Sequence, residues 1–344
     1  MIACPPPYPL PDSILLAHGE GARLTRRLVR EVLLAAFDNE FLRPLADAAV
    51  LRPIDGRVVM STDSYVVNPL SFPGGDIGCL AVHGTINDLA VTGAEPLCLS
   101  VALIIEEGLP MATFARVVGS IRDAARGCGV PVVTGDTKVV PRGAADQLFV
   151  NTTGLGRLNP AVDLGAHRVR SGDRILVSGT LGDHGIAVLS ARGNLELESD
   201  LRSDTAPLYE LVRALADPGV AVHFLRDPTR GGVSAVLHEL ADAAAVQIVV
   251  EETALPIAAP VRGACELLGL DPLYVANEGK LLLVVPPAAV AAALACLRAH
   301  PLGRAAAVIG TVGATGTPEV LVRGMLGRLR VLDEPSGAPL PRIC

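Results

Sequence analysis

The stretch PGGDIGCLAVHGTINDLAVTGAEPLCLSVALII, residues 73–105, decides the fold class. It opens on a glycine loop, Pro73-Gly-Gly-Asp-Ile-Gly78. Asp76 is a strong N-cap and Gly93 a good helix stop, so the spacing predicts a helix over 77–92. The run that follows is apolar and β-prone, and it predicts a strand over 97–105. Upstream, 48–51 and 57–62 read as strands of a hairpin turned by Asp55-Gly56. Downstream, Pro110 and Gly129 bracket a helix over 111–128, with strands at 130–134 and 147–155.

A second half begins near Asn159-Pro160. It reads as a strand at 174–178, helices around 184–191, 205–215 and 232–245, a strand at 247–251 and a helix at 259–268. The apolar run 281–297 imitates a membrane span, but Pro286-Pro287 splits it into a strand and an Ala-rich helix. Strands near 305–312 and 319–332 close the half. Such alternation predicts two layered α/β (α+β) domains, 1–158 and 159–332. Residues 333–344 carry three prolines and no periodicity, and read as an extended, mobile tail.

Composition narrows the function. The 344 residues are 50% hydrophobic and 3% aromatic without Trp, so Ala, Val and Leu must build the cores. A net charge of −7 without basic blocks argues against nucleic acid or anionic membrane as a partner. Seven scattered cysteines without a CxxC pair exclude zinc-ribbon and thioredoxin-like sites and suit a reducing, cytoplasmic setting.

Carboxylates and glycine loops point to metal and phosphate. In a hairpin symmetric about Asp55-Gly56, Asp47 and Asp63 share the open end, and two close carboxylates call for a cation. Asp88 lies eleven residues beyond Ile77, about three turns, on a helix face made small by Ala81 and Gly84. That face can approach a sheet. Asp227-Pro-Thr-Arg-Gly-Gly232 precedes a helical run, where free N–H groups, Thr229 and Arg230 suit an anion and Asp227 a metal. Gly75, Asp76 and Gly78 form a second loop of this kind. Asp136, Thr137 and Lys138 follow a strand, where α/β sheets often bind ligands. The loop Gly179–Gly185 lacks dinucleotide spacing, and no GxxxxGK[ST] occurs, so any ATP site is not a Walker loop. His18-Gly-Glu-Gly21 reads as a cap or a ligand contact. Cys344 puts a thiol on a stiff arm of about a dozen residues that can reach roughly 30 Å.

Pro341-Arg-Ile-Cys344 resembles the signature end of the HypE family of hydrogenase maturation factors. Asp-Ala-Ala-Val50, Ser-Thr-Asp-Ser64, Gly-Asp-Ile-Gly78, Asn-Asp-Leu-Ala90, Gly-Asp-Thr-Lys138, Gly-Asp-His-Gly185, Asp-Pro-Thr-Arg-Gly-Gly232 and Ala-Asn-Glu-Gly279 are similar to its internal motifs, in order. Ala22 departs from it, where a further glycine is expected. The resemblance implies the two-domain fold of aminoimidazole ribonucleotide synthetase and a homodimer. It implies ATP and Mg²⁺ at the first domain, with Asp47, Asp63, Asp88 and Asp227 as metal ligands. It also implies that Cys344 is carbamoylated by the carbamoyltransferase HypF. ATP then drives dehydration to a thiocyanate, whose cyanide passes to the HypC–HypD scaffold for the [NiFe]-hydrogenase centre. The dehydration needs a proton acceptor, and Glu278 and Lys138 are the candidates. Two other functions compete: a synthetase acting on a free amide, and a nucleotide-responsive assembly protein whose tail only docks a partner.

Overall fold

The computed structural model describes residues 10–193 and 200–334. An N-terminal helical run comprises α1 (Arg23–Leu28), a π-helical stretch (Val29–Leu34) and α2 (Ala35–Phe37). Strand β1 (Val58–Tyr65) and the short β2 (Ser71–Phe72) and β3 (Gly75–Asp76) lead into α3 (Ile77–Val91). Then come β4 (Ala94–Glu106), α4 (Met111–Gly127), β5 (Val132–Val140) and β6 (Leu148–Leu158). The second half contains β7 (Arg174–Val177), α5 (Asp183–Ala191), α6 (Tyr209–Ala216), β8 (Phe224–Arg226), α7 (Gly232–Ala244) and β9 (Val246–Glu251). It ends with α8 (Ala259–Leu268), β10 (Leu282–Val285), α9 (Val290–Ala299), β11 (Ala307–Thr315), β12 (Glu319–Arg323) and β13 (Leu329–Val331). A four-stranded sheet has the order β1-β6-β4-β5, and a seven-stranded sheet the order β13-β12-β9-β11-β7-β10-β8.

Helix α3 joins the two halves. It is apolar nearly all round, and such a helix must be buried on all sides. Ile77, Leu80 and Ile86 belong to the core beneath the first sheet. Ala90 and Val91 belong to a core shared with Leu176, Leu211 and Leu283 of the second half. Of its polar residues, Thr85 and Asn87 are buried, so each must find a partner, while Asp88 is only partly covered.

Two sequence expectations need correction. The hairpin between 48–51 and 57–62 does not form: 48–51 is irregular, and β1 pairs antiparallel with β6, Val58 against Arg157 through Tyr65 against Val150. Gly56 does take the positive φ of a bend, +92°. However, Pro53 has no N–H to donate to a ladder, and Val50 is 88% exposed. The β6 partner pairs with eight residues of β1 and turns Val59, Ser61, Asp63 and Tyr65 away from solvent. The second correction concerns Gly135–Lys138, which lie inside β5 and not in a loop after a strand. They continue the parallel ladder on β4, Ala102 against Asp136 and Ile104 against Lys138. Gly135 permits this: a Cβ there would stand 2.1 Å from the Val101 carbonyl oxygen. The tail expected over 333–344 falls almost wholly outside the described residues, which end at 334.

Candidate active site

Strand alternation decides which side chains meet. Ser61, Asp63 and Tyr65 point from β1 toward α3, because successive residues of a strand face opposite ways. Gly84 of α3 lets the helix come close: its added Cβ would fall 2.0 Å from the Tyr65 hydroxyl. The Tyr65 hydroxyl donates to Asp63 Oδ2 at 3.1 Å, and Ser61 Oγ donates to Asp88 Oδ2 at 2.5 Å. The small helix face read from Ala81 and Gly84 therefore does bring Asp88 to the sheet.

The second half closes the site from two loops. After β8 the chain turns through Asp227-Pro-Thr-Arg-Gly231, where Thr229 N donates to the Asp227 carbonyl at 3.1 Å. Gly231 and Gly232 both take positive φ as α7 begins. Asn277 holds this loop to its neighbours: Nδ2 donates to the Pro228 carbonyl at 3.0 Å, and Oδ1 accepts from Gly182 N at 2.8 Å. Glu278 follows directly and is 3% exposed. Asp63, Asp88, Asp227, Glu278, Thr229 and Arg230 line a cleft of about 190 Å³. A whole nucleotide needs roughly 300 Å³ or more, so this space suits its phosphate end.

The electrostatics are those of an anionic site short of cations. Burial pushes the Asp227 carboxyl up to about 7, and the neighbouring Asp88 charge adds to the effect. Burial raises Asp88 as well, against the Ser61 hydrogen bond and with help from Asp63. Glu278 is held well above the carboxylate range, first by burial and then by Asp204, Asp227 and Asp63, with Arg230 opposing. Burial and Asp63 push the Tyr65 phenol up. Among the described residues no three His, Cys, Asp or Glu stand close enough to complete a metal site alone. Mg²⁺ does not require that, since it binds through one or two carboxylates plus substrate phosphates and water. Asp63, Asp88 and Asp227 fit such a role because they converge beside space for a phosphate.

Other sequence candidates lie elsewhere. Asp47 is exposed on an irregular segment away from the cleft lining, because the hairpin that placed it does not form. Asp76 is the cap of α3: its carboxylate accepts from Gly78 N, Cys79 N and Ser120 Oγ. Gly78 is a packing residue whose added Cβ would lie 2.6 Å from the Val117 carbonyl of α4. Gly75 packs against Thr205 and Cys79. Asp136 and Thr137 line a separate cavity beneath the N-terminal helical run. Asp136 and Lys138 pair with Ala102 and Ile104, which places them on the sheet face opposite Asp63. His18 is buried beside β5, with Gly19 tight against Val139. In the loop Gly179–Gly185 the Asp183 carboxylate accepts from Thr180 and lies 3.5 Å from Lys280 Nζ. Cys344 lies outside the described residues.

Sequence reasoning missed Tyr65, Asn87, Asp204, Asn277 and Lys280. Asn87 had a signal: it is a polar residue in a helix apolar nearly all round, and it is buried, donating to the Ala206 carbonyl at 3.1 Å.

Comparison with known proteins accounts for this arrangement. Residues 45–158 match the family model for the N-terminal domain of AIR synthase related proteins, and 170–323 the model for the C-terminal domain. The chain is 50% identical over 330 residues to carbamoyl dehydratase HypE of Cupriavidus necator, covering 96% of this chain and 94% of that one. It is 49% identical over 339 residues to carbamoyl dehydratase HypE of Escherichia coli K12, covering 97% and 100%. Among solved structures, hydrogenase maturation protein HypE in complex with ATP superposes with a TM-score of 0.92 at 48% identity, over 96% of this chain and 99% of that one. A HypE–HypF complex gives 0.78 at 44% identity, over 90% and 99%. The chain therefore belongs to the HypE family of carbamoyl dehydratases of hydrogenase maturation, built on the two-domain fold of the AIR synthase related proteins.

Proposed function

We propose that this protein uses ATP to dehydrate an S-carbamoyl group on its own Cys344 to a thiocyanate, supplying cyanide for a [NiFe]-hydrogenase centre. The observation that carries this is the buried Glu278 in one cleft with Asp63, Asp88 and Asp227, in a chain half identical to carbamoyl dehydratases. An amide oxygen is a poor leaving group. Transfer of the ATP γ-phosphoryl to it makes a phosphate that can leave. Loss of both nitrogen protons as the C≡N bond forms completes S-cyanocysteine, ADP and phosphate. Asp63, Asp88 and Asp227 are the carboxylates that would hold Mg²⁺, one or two of them together with phosphate oxygens, and the ion would neutralise charge on the phosphates. Arg230, in the same cleft lining, would draw the phosphates in, and Glu278 would accept a proton. A carboxyl held above its usual range is a better base than an ordinary one, provided cation binding next to it frees the carboxylate.

Geometry supports delivery by the tail. Asp333 is anchored where its carbonyl accepts from the Tyr274 hydroxyl at 2.7 Å, and Tyr274 lies four residues before Glu278. Ten peptide links join Glu334 to Cys344, a reach of at most about 35 Å. We assign the loading step to a HypF-type carbamoyltransferase and the acceptor to a HypC–HypD scaffold, in the cytoplasm. Among the described residues no helix is long and apolar enough to cross a membrane. We place a homodimer contact on the open face of the first sheet, where Val58, Met60 and Ile104 are exposed (Met60 to 67%). Asp136 and Lys138 stand on that face, so Lys138 can serve a cleft only from a second copy.

The test is mass spectrometry of the C-terminal peptide after incubation with carbamoyl phosphate, ATP and the carbamoyltransferase. A carbamoyl adduct on Cys344 that loses one water only when ATP is hydrolysed is expected. A thiol left unmodified while the Escherichia coli relative reacts would overturn the reading. So would full turnover on a free amide by a chain lacking Cys344.

A further inference from the structure

Residues 203–208 run as a strap between the two halves of the molecule. On one side, Ser203 N donates to the Pro73 carbonyl at 2.7 Å, and Leu208 N donates to Asn87 Oδ1 at 2.7 Å. On the other, the Asp204 carboxylate accepts from the backbone of Glu278 at 3.1 Å and of Gly279 at 3.3 Å. Lys280 Nζ lies 3.2 Å from Asp204 Oδ2 and 3.5 Å from Asp183 Oδ2, which seats the Asp204 side chain. The Glu278 carbonyl accepts from Asn87 Nδ2 at 3.4 Å and from Ala206 N at 3.4 Å. Gly279 makes the approach possible, since its added Cβ would stand 1.9 Å from the Asp204 carbonyl.

Both peptide groups of Glu278 are therefore pinned, the N–H by Asp204 and the C=O by Asn87 and Ala206. With the backbone fixed, only the side-chain rotamers of Glu278 remain free. Asn87 and Asp88 are consecutive in α3, so one helix sets both the Asp88 carboxylate and the Glu278 backbone. We propose that Asp204, seated by Lys280, and Asn87 are positioning residues that hold Glu278 in line for proton transfer. This rests on Glu278 being the proton acceptor.

A displacement of about 1 Å at a reacting group can cost on the order of a hundredfold in rate. The experiment is single-turnover dehydration of the full chain, already carbamoylated on Cys344, followed by peptide mass with ATP varied. Asp204→Ala and Asn87→Ala are expected to slow the step about tenfold or more. The ATP concentration for half-maximal rate and the extent of prior carbamoylation should stay unchanged. Asp204→Asn keeps an acceptor oxygen in place and should recover most of the rate. If Asp204→Ala does not fold, Asn87→Ala decides on the same readout. Wild-type rates in these variants while Glu278→Gln is inactive would overturn the positioning role and leave the base. A wild-type rate in Glu278→Gln would overturn the base and the inference with it. Equal losses in Asp204→Ala and Asp204→Asn, or a rate loss that follows weakened ATP binding, would show a merely structural role.

Discussion

Asp183 and Asp204 share the ammonium of Lys280, and Asp204 also accepts two backbone N–H groups. Asp63, Asp88, Asp227 and Glu278 line the next cleft, where the exposed Arg230 is the only cationic side chain among the described lining residues. The first group of acids is partnered within the chain by Lys280, Thr180 and two backbone N–H groups, although burial still raises Asp183. The second is left short of positive charge, and burial drives Asp227 and Glu278 upward. The contrast teaches how to tell holding from chemistry: acids that work are the ones the fold leaves for a ligand to complete.

Four experiments break or sharpen that contrast. Glu278→Gln removes the proposed proton acceptor but keeps its shape. Cyanation of Cys344 should fall by about 10²–10⁴-fold while ATP still binds, measured by peptide mass and nucleotide titration. Lys280→Met strands two buried acids. Loss of one partner of a buried pair costs about 3–5 kcal/mol, so denaturant midpoints should drop by that equivalent; an unchanged midpoint would dissolve the holding role.

The third concerns pH. The folded chain without cation keeps a proton on Asp227 up to about 7, which the unfolded chain loses near 4. The folded state binds more protons across that window, so stability falls as pH rises through it. Melting temperature should drop by a few degrees between pH 5 and 8 without divalent cation. Added Mg²⁺ should raise it more at pH 8 than at pH 5, since the cation replaces the proton. Asp227→Asn should flatten both trends. The smallest effect belongs to Asp76→Ala, which removes the cap of α3 for about 1 kcal/mol and should leave the dehydration rate unaltered. A large loss of ATP binding there would return Asp76 to the nucleotide site.

Much of the local structure was legible. Asp76 and Pro110 stand immediately before α3 and α4, as read. The helix at 259–268 has the bounds read from its pattern. Gly84 and Ala81 announced the close face that carries Asp88. Pairing was not legible in the same way. The 48–51 run has strand composition, yet β6, some ninety residues on, offers β1 a longer ladder and a half-buried face. That error displaced Asp47. The helix expected from 205 starts at Tyr209, because 203–208 is stretched between Asn87 and Glu278.

The sequence by itself determined the element types, the caps and glycine turns, and through the ordered motifs ending at Cys344 the family. These depend on residues within a turn or two of each other, or on the motif order itself. Only the tertiary structure decided which acids share a cleft. Asp63, Asp88, Asp227 and Glu278 meet because one buried helix packs on both halves, while Asp136 and Lys138, equally polar, fall on the other face of the sheet. Strand register and parity make that choice, and they depend on partners far along the chain.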